Sequence, residues 1–409
     1  MKKTAIINVR VFDGDNVLDK TVVVIQGDRI VALGTSIPPD ADIHDGTGAT
    51  LLPGLIDAHV HTDEAALAVA LRFGVTTELE MQGTNTRHDR VHITHDDSLA
   101  DVRSAGFGLT PPGGHPSELF PEDFEPGMQG GEERLRNSPL VMPQVTTPEA
   151  AVAVIAQLIA SGSDYIKFMV DDGSVEGHPG LPMLDQATLS AGVQEARKHG
   201  MLTLAHTLTI ETTQMALDAG IHGLAHLFMD RPHTEEIIAA IARSGAFVVP
   251  CVTLNASMMG ITATELADDP RVRRLLDEAW DTTLRSSYDR YPDGRLASVL
   301  ASVKALHDAG VDLIVGTDAS VPLPAFGGVA HGASVHHELQ YLVRAGLTPI
   351  EALRAATSTA ARRFGLLDRG KIAPGLRADL LLVEGDPTVR IGDTLNIRAV
   401  FRRGTRLAN

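Results

Sequence analysis

The chain has 409 residues, 44% of them hydrophobic but only 4% aromatic, and 52 acidic side chains against 35 basic ones give a formal net charge of −17. That acid excess repels phosphate backbones and anionic lipid, which argues against nucleic acid and membrane surfaces as partners; the charge does not identify a substrate, and a small molecule or short peptide is the expected one from the site below. The length is too great for one ordinary small domain, and the aliphatic composition suits α/β architecture.

The N-terminus, "MKKTAIINVRVFDG", has two lysines but only about five apolar residues before Arg10, too few for a secretory leader. No run approaches the roughly 18 apolar residues of a membrane span. The single cysteine, Cys251, cannot form an intrachain disulfide. These features predict a cytoplasmic protein. Residues 1–50 alternate apolar and polar between Gly and Asp turns, which predicts short strands, and the last 40 residues read alike. Between them the pattern becomes strand, loop, helix, repeated. Strands are expected near 52–61, 74–82, 105–110, 165–170, 201–206, 221–227, 245–250 and 311–317. Helices such as "TPEAAVAVIAQLIASG" and "DQATLSAGVQEARKHG" alternate with them. Eight such repeats predict a distorted (β/α)8 TIM barrel over residues 53–367. The chain ends, 1–52 and 368–409, are expected to pair into a small β-sandwich module. Two connections, 111–146 and 251–295, are long enough to be lids or binding loops.

In such a barrel the chemistry sits where strands end. The first strand, "LLPGLIDAHVH", ends in His59 and His61, which share a face because strand side chains alternate. The fourth carries Lys167, the fifth ends in His206, the sixth in His226 and the eighth in Asp318. A single strand-end histidine is most often structural, and an Asp after Gly-Thr is often a turn former. A lysine between Ile and Phe in a strand is harder to explain, because an ammonium is costly to bury unpaired. A neutral lysine amine reacts with carbon dioxide to give a carbamate, an anion able to bridge two metal ions. His59, His61 and Asp318 then hold one divalent ion and His206 and His226 the second, with carboxylated Lys167 and a hydroxide shared between them. Zinc suits these ligands, and manganese, cobalt, nickel and iron are alternatives. Asp318 is the expected proton carrier, from the hydroxide to the leaving nitrogen.

"PGLIDAHVH", "YIKF", "AHT", "LAHL" and "GTDAS" together resemble the amidohydrolase superfamily in its binuclear, carboxylated-lysine subtype. The likeness spans nearly the whole chain, including the closing "TPIEALRAATSTAARRFGLLDRGKIAPGLRADLLLVEGDP", and is nearest the imidazolonepropionase-like, prolidase-like branch. It implies a dipeptidase, a carboxypeptidase or an N-acyl amino acid amidohydrolase. That branch often has "GGH" after the third strand; here it is "PPGGHPSE", so the resemblance gives His115 the role of contacting the substrate carbonyl or its oxyanion. One departure is in the second strand. Glu78 and Glu80 stand where the branch leads one to expect a valine, an arginine and an aspartate after two threonines.

The same centre also suits a lactone, a carbamate, a phosphoester or a cyclic amide. Mononuclear deamination is disfavoured by Lys167, and a metal-free scaffold by the complete ligand set. Further candidate substrate contacts are Arg231 for a carboxylate (or a surface salt bridge), His331 at the mouth (or a helix cap), and Tyr288, which lies with Tyr291 on an excursion that closes the pocket or joins two copies of the chain. His88, His92 and His95 are spaced for a metal but read more simply as solvated loop residues.

Overall fold

In the computed structural model of the protein, residues 2–119 and 144–407 are described. The expected lid at 111–146 therefore lies largely outside the described residues. In chain order the strands are β1 (Lys3–Phe12), β2 (Val17–Gln26), β3 (Arg29–Gly34), β4 (Asp42–Asp45), β5 (Ala49–Pro53), β6 (Leu55–Val60), β7 (Val75–Glu80) and β8 (Asp101–Ser104). They continue as β9 (Ile166–Met169), β10 (Thr203–His206), β11 (Gly223–Ala225), β12 (Phe247–Val249), β13 (Leu380–Glu384), β14 (Ile397–Arg402) and β15 (Thr405–Arg406).

The chain ends meet in one eight-stranded sheet of order β15-β14-β13-β5-β1-β2-β3, with β4 on β1. Its centre is the antiparallel pair β13–β5, in register Leu381 to Leu52. Two cores, one on each face, explain why this pair is apolar except at Thr50 and Glu384. Leu380 and Leu382 enter the core of the sheet with Ile6, Val23 and Phe401, while Leu381 and Val383 face the larger core of the central region.

The central region alternates strand and helix in a TIM-barrel-like α/β arrangement. β6-β7-β8 form one parallel sheet and β9-β10-β11-β12 another. Between them Leu109 bridges Phe168, Leu313 bridges Val248, and Ala319 bridges Val60. The expected helices form at Pro148–Ala160, where Thr147 accepts from Ala150 N–H, and at Gln186–Lys198, where Asp185 caps Thr188 N–H.

Two expected strands are misplaced. The third is Asp101–Ser104, not 105–110, and "DVRS" carries no apolar alternation because Asp101 and Arg103 belong to a buried charge cluster. The 105–110 stretch is interrupted at Gly106, whose φ of +70° leaves the strand region. The eighth, 311–317, makes bridges but no regular strand. Gly316 lets it pass close to its neighbours: a Cβ there would lie 2.4 Å from Val249 Cγ1 and 2.9 Å from His59 Cβ.

The terminal sheet is clasped to the central region by charge. Asp101 on β8 accepts from Arg369 at 2.5 Å and Arg377 at 2.9 Å, and Arg402 Nε donates to the Leu99 carbonyl at 3.0 Å. Burial alone pushes the Asp101 carboxyl up, but Arg369, Arg103 and Arg377 outweigh it and hold it well below its ordinary value. A depressed folded value stabilises above the unfolded carboxyl value of 3.8, and that stability is lost as pH falls through the folded value. Asp101→Asn removes the carboxylate that Arg369 and Arg377 share, leaving them only Asp368 and Asp379, and is expected to cost about 3 kcal/mol in urea unfolding at pH 7. A cost below about 1 kcal/mol, the scale of a surface ion pair, refutes the clasp.

Candidate metal centre

The six strand-end side chains are built from the backbone outward. β6 is buried along its whole length, and in its middle the Asp57 carboxylate accepts from His59 N–H at 3.2 Å, Thr317 N–H at 3.0 Å and the Thr317 hydroxyl at 2.6 Å. One carboxylate thus ties the first strand, which carries two imidazoles, to the residue before Asp318. Burial, with Glu78 nearby, pushes Asp57 up to about 8. Three residues at the centre adopt left-handed backbone: His226 (φ +84°), Cys251 (φ +49°) and Asp318 (φ +59°). Each costs on the order of 1–3 kcal/mol, a strain tolerated where a side chain must be aimed.

Asp318 Oδ1 stands 3.1 Å from His59 Nε2 and 3.0 Å from His61 Nε2, and Asp318 Oδ2 is 3.9 Å from His226 Nε2. The ring centroids of His59 and His226 are 4.4 Å apart, and those of His206 and His226 are 4.6 Å apart. Lys167 is buried among them, and burial lowers its amine to about 8. Burial likewise lowers His59 to about 4 and holds His206 and His226 well below the ordinary imidazole value, so all three rings are neutral near pH 7 with a free lone pair. Asp318 is held well below the carboxylate range: burial opposes this, but His59 and His61 outweigh it.

This donor set fits a divalent metal. Asp318 Oδ1, His59 Nδ1, His206 Nε2 and His226 Nδ1 are buried without a hydrogen-bond partner, although Asp318 Oδ1 is within 3.1 Å of two imidazole nitrogens. Asp318 Oδ1 faces the Nε2 atoms of His59 and His61 rather than a hydrogen-bond donor aligned on it, as one chelating donor faces the others. His59, His61 and Asp318 offer one ligand atom each, all within 4.8 Å of one another. His61 Nδ1 lies 3.1 Å from the Gln82 carbonyl, which leaves Nε2 for an ion.

The centre opens into a cavity of about 480 Å³. Val69, Leu254, Met258, Trp280, Phe326 and Val329 form an apolar wall, and Leu254, Met258 and Trp280 come from the 251–295 excursion. Tyr288 lines the cavity too, its hydroxyl pushed up by burial, whereas the Tyr291 hydroxyl donates to the Asp230 carbonyl at 3.1 Å and Tyr291 is not among the lining residues. His115 is buried in the cavity wall, stacked on His206 at 4.2 Å with Nδ1 2.6 Å from Glu118 Oε1.

Two expected contacts are corrected. Arg231 points outward, 48% exposed, and pairs with Glu211 and Asp230, so it does not line the cavity. Arg231→Ala is accordingly expected to leave KM unchanged across any substrate series; a rise of tenfold or more brings it back as a substrate contact. His331 is neither at the mouth nor a helix cap. It is fully buried, with Nδ1 2.8 Å from Glu78 Oε1 and Nε2 3.0 Å from the Ser320 carbonyl. Burial disfavours its charged form, but Glu78 outweighs that and raises it to about 8. Glu78 also accepts from the Thr62 hydroxyl at 2.6 Å, while Glu80 lines the cavity and accepts from Asn85. His88, His92 and His95 do not converge on a metal group; His92 Nε2 meets Glu64 at 2.8 Å. The sequence reading missed Glu118, Asp171 and Glu176. Glu176 lines the cavity, and burial pushes it up to about 7.

Residues 50–407 match the amidohydrolase family, and the chain belongs to it. Among curated relatives it is 27% identical over 401 residues to an allantoinase of Solibacter usitatus, covering 89% of this chain and 81% of that one. It is 41% identical to an imidazolonepropionase of Deinococcus deserti over 108 residues, 25% of this chain and 26% of that one. Among solved structures, a Xaa-Pro dipeptidase with bound methionine superposes with a TM-score of 0.75 at 22% identity, covering all of both chains, a likeness of fold. Among the described residues no helix is long and apolar enough to cross a membrane.

Proposed function

We propose that the protein is a metal-dependent hydrolase of an amide or peptide C–N bond, acting on dipeptides, C-terminal residues or N-acyl amino acids. The observation that carries this reading is the convergence of His59, His61 and Asp318 within 4.8 Å, with the Lys167 amine buried beside them. In this reading His59, His61 and Asp318 would hold one ion, His206 and His226 would hold the second, and Lys167, once carboxylated, would be the ligand shared between them. Bound ions, zinc first among candidates, acidify a water and polarise the scissile carbonyl. Asp318 takes the proton of the attacking water at a carboxylate oxygen and delivers it to the leaving nitrogen. His115, held through Nδ1 by Glu118, presents its other nitrogen to the oxygen on which charge develops. The apolar wall carrying Trp280 excludes water from the opposite side. The same reading takes residues 53–367 as one closed barrel, and 1–52 with 368–409 as a sandwich-like module.

A second reading keeps the centre and changes the bond to that of an uncharged carbamate or cyclic amide. It is favoured by the apolar wall and by the outward turn of Arg231, since among the described residues the cavity cations are Arg72 and Lys167. One panel separates the two. The metal-loaded enzyme, with added bicarbonate, is offered dipeptides, N-acyl amino acids, carbamates, lactones and cyclic amides. Turnover of the first two classes supports the first reading, and turnover confined to the others supports the second. A protein that binds no metal sinks both.

A further inference from the structure

We propose that His331, which does not itself reach the cavity, sets the cavity's width: it is the positioning residue that fixes Trp280, Ser320 and Thr62, three parts of the wall drawn from separate stretches of the chain. The proposal deepens the hydrolase reading and rests on it in one respect, that the space so governed receives the substrate's apolar group. His331 is fully buried and is not among the lining residues, whereas Thr62, Trp280 and Ser320 are.

The ring meets the wall in three directions. Nε2 lies 3.0 Å from the carbonyl of Ser320, two residues past Asp318. Nδ1 lies 2.8 Å from Glu78 Oε1, and Glu78 Oε2 accepts from the Thr62 hydroxyl at 2.6 Å. The third neighbour is Trp280, with ring centroids 5.2 Å apart and planes at 78°, an edge-to-face contact. Trp280 belongs to the helix Glu278–Arg285 on the 251–295 excursion, and it packs with Ala330 and Ala333, the small side chains that flank His331.

The chemistry of the ring makes this seat rigid. Both nitrogens face acceptors, a carboxylate and a carbonyl, so both carry a proton and the ring is a buried cation. Its value, raised to about 8 by Glu78 against burial, agrees. A flipped ring would turn carbon atoms onto the Glu78 carboxylate and the Ser320 carbonyl and leave two buried acceptors unpaired, which is costly. One orientation is therefore fixed, and with it the surface on which Trp280 rests. A neutral side chain of the same size fills the space but loses the hold on Glu78 and Ser320.

The test needs no substrate to begin. Trp280 is the chain's single tryptophan, so tryptophan fluorescence of the full-length protein reads this wall alone. His331→Phe keeps a ring beside Trp280 and removes both hydrogen bonds; Glu78→Gln keeps His331 and removes its anion. Both variants are expected to emit at longer wavelength and to be quenched more readily by acrylamide than the wild type, in which Trp280 is 4% exposed, while zinc content stays the same. In turnover, KM for amides with a large apolar group is expected to rise about 10-fold or more in His331→Phe, with kcat changing far less. The KM effects of His331→Phe and Trp280→Phe are expected to be non-additive, because one acts through the other. Unchanged emission and acrylamide quenching in both variants overturn the proposal whatever the protein hydrolyses. Additive KM effects, or a joint loss of zinc and kcat with KM unmoved, overturn it too. Altered emission with no turnover of any substrate by the wild type upholds the hold on the wall and overturns the hydrolase reading alone. Should His331→Phe fail to fold, Glu78→Gln decides alone.

Discussion

Lys167→Ala is expected to abolish turnover and to lower the metal content of the purified protein. The side chain is buried between β-strands, and burial brings its amine down to about 8 from 10.5. At pH 8 about half of it is neutral, against roughly one part in 300 for an ordinary lysine. The neutral amine is the form that adds to carbon dioxide, so a buried lysine here is chemically prepared to become an anion. Losing a group that merely supports a ligand costs about 10–100-fold in metal affinity or activity, so losing the ligand shared between two ions costs more. The alanine leaves a space the size of a short carboxylic acid, and formate or acetate is expected to restore part of the rate. Bicarbonate should raise wild-type turnover and leave the variant unaffected. Full activity and full metal content in Lys167→Ala end the bridging role.

The parts of this protein legible in its sequence are those fixed by local period. His59 and His61 are two apart on a strand, and a strand puts such residues on one side whatever surrounds it. His206, His226 and Lys167 were found the same way, at or near the ends of apolar runs bounded by helices. Pairing of the two chain ends was also readable, because both read as short strands punctuated by turns, unlike the strand–helix repeat between them. What was not readable depends on contacts between distant residues. His331 looked like a loop residue at the mouth, yet it is buried by a partner 253 positions away, Glu78. Glu78 could be read as serving the barrel interior or a different specificity, and only its contacts decide: it works inside the structure, holding His331 and Thr62. Asp171 and Glu176 follow the fourth strand in "VDDGSVEGH", where glycine and aspartate signal only a turn. No spacing rule shows that the turn folds back onto His206. The third strand was missed for the opposite reason: its side chains are polar because they belong to the charge clasp, and a polar buried strand carries no hydrophobic signal.

Asp318→Asn is expected to lower kcat by about 10²–10⁴, the range of a lost general acid–base group, while KM and the zinc content at saturating zinc change far less. The substitution is unusually clean at this position. Asp318 sits at φ +59°, a left-handed conformation that asparagine tolerates as well as aspartate does, so the backbone is not disturbed. The side chains have the same shape, and the asparagine carbonyl oxygen can still take the place of Oδ1, 3.0 Å from His61 and 3.1 Å from His59. What disappears is the negative charge and the ability to accept a proton and pass it on. A structural role for Asp318 predicts instead that zinc and turnover are lost together, with alanine and asparagine equally damaging. If Asp318→Asn keeps its zinc and turns over within tenfold of the wild type, the proton must travel by another group. Glu176, buried in the same cavity and held near neutrality, is then the carboxyl to test next.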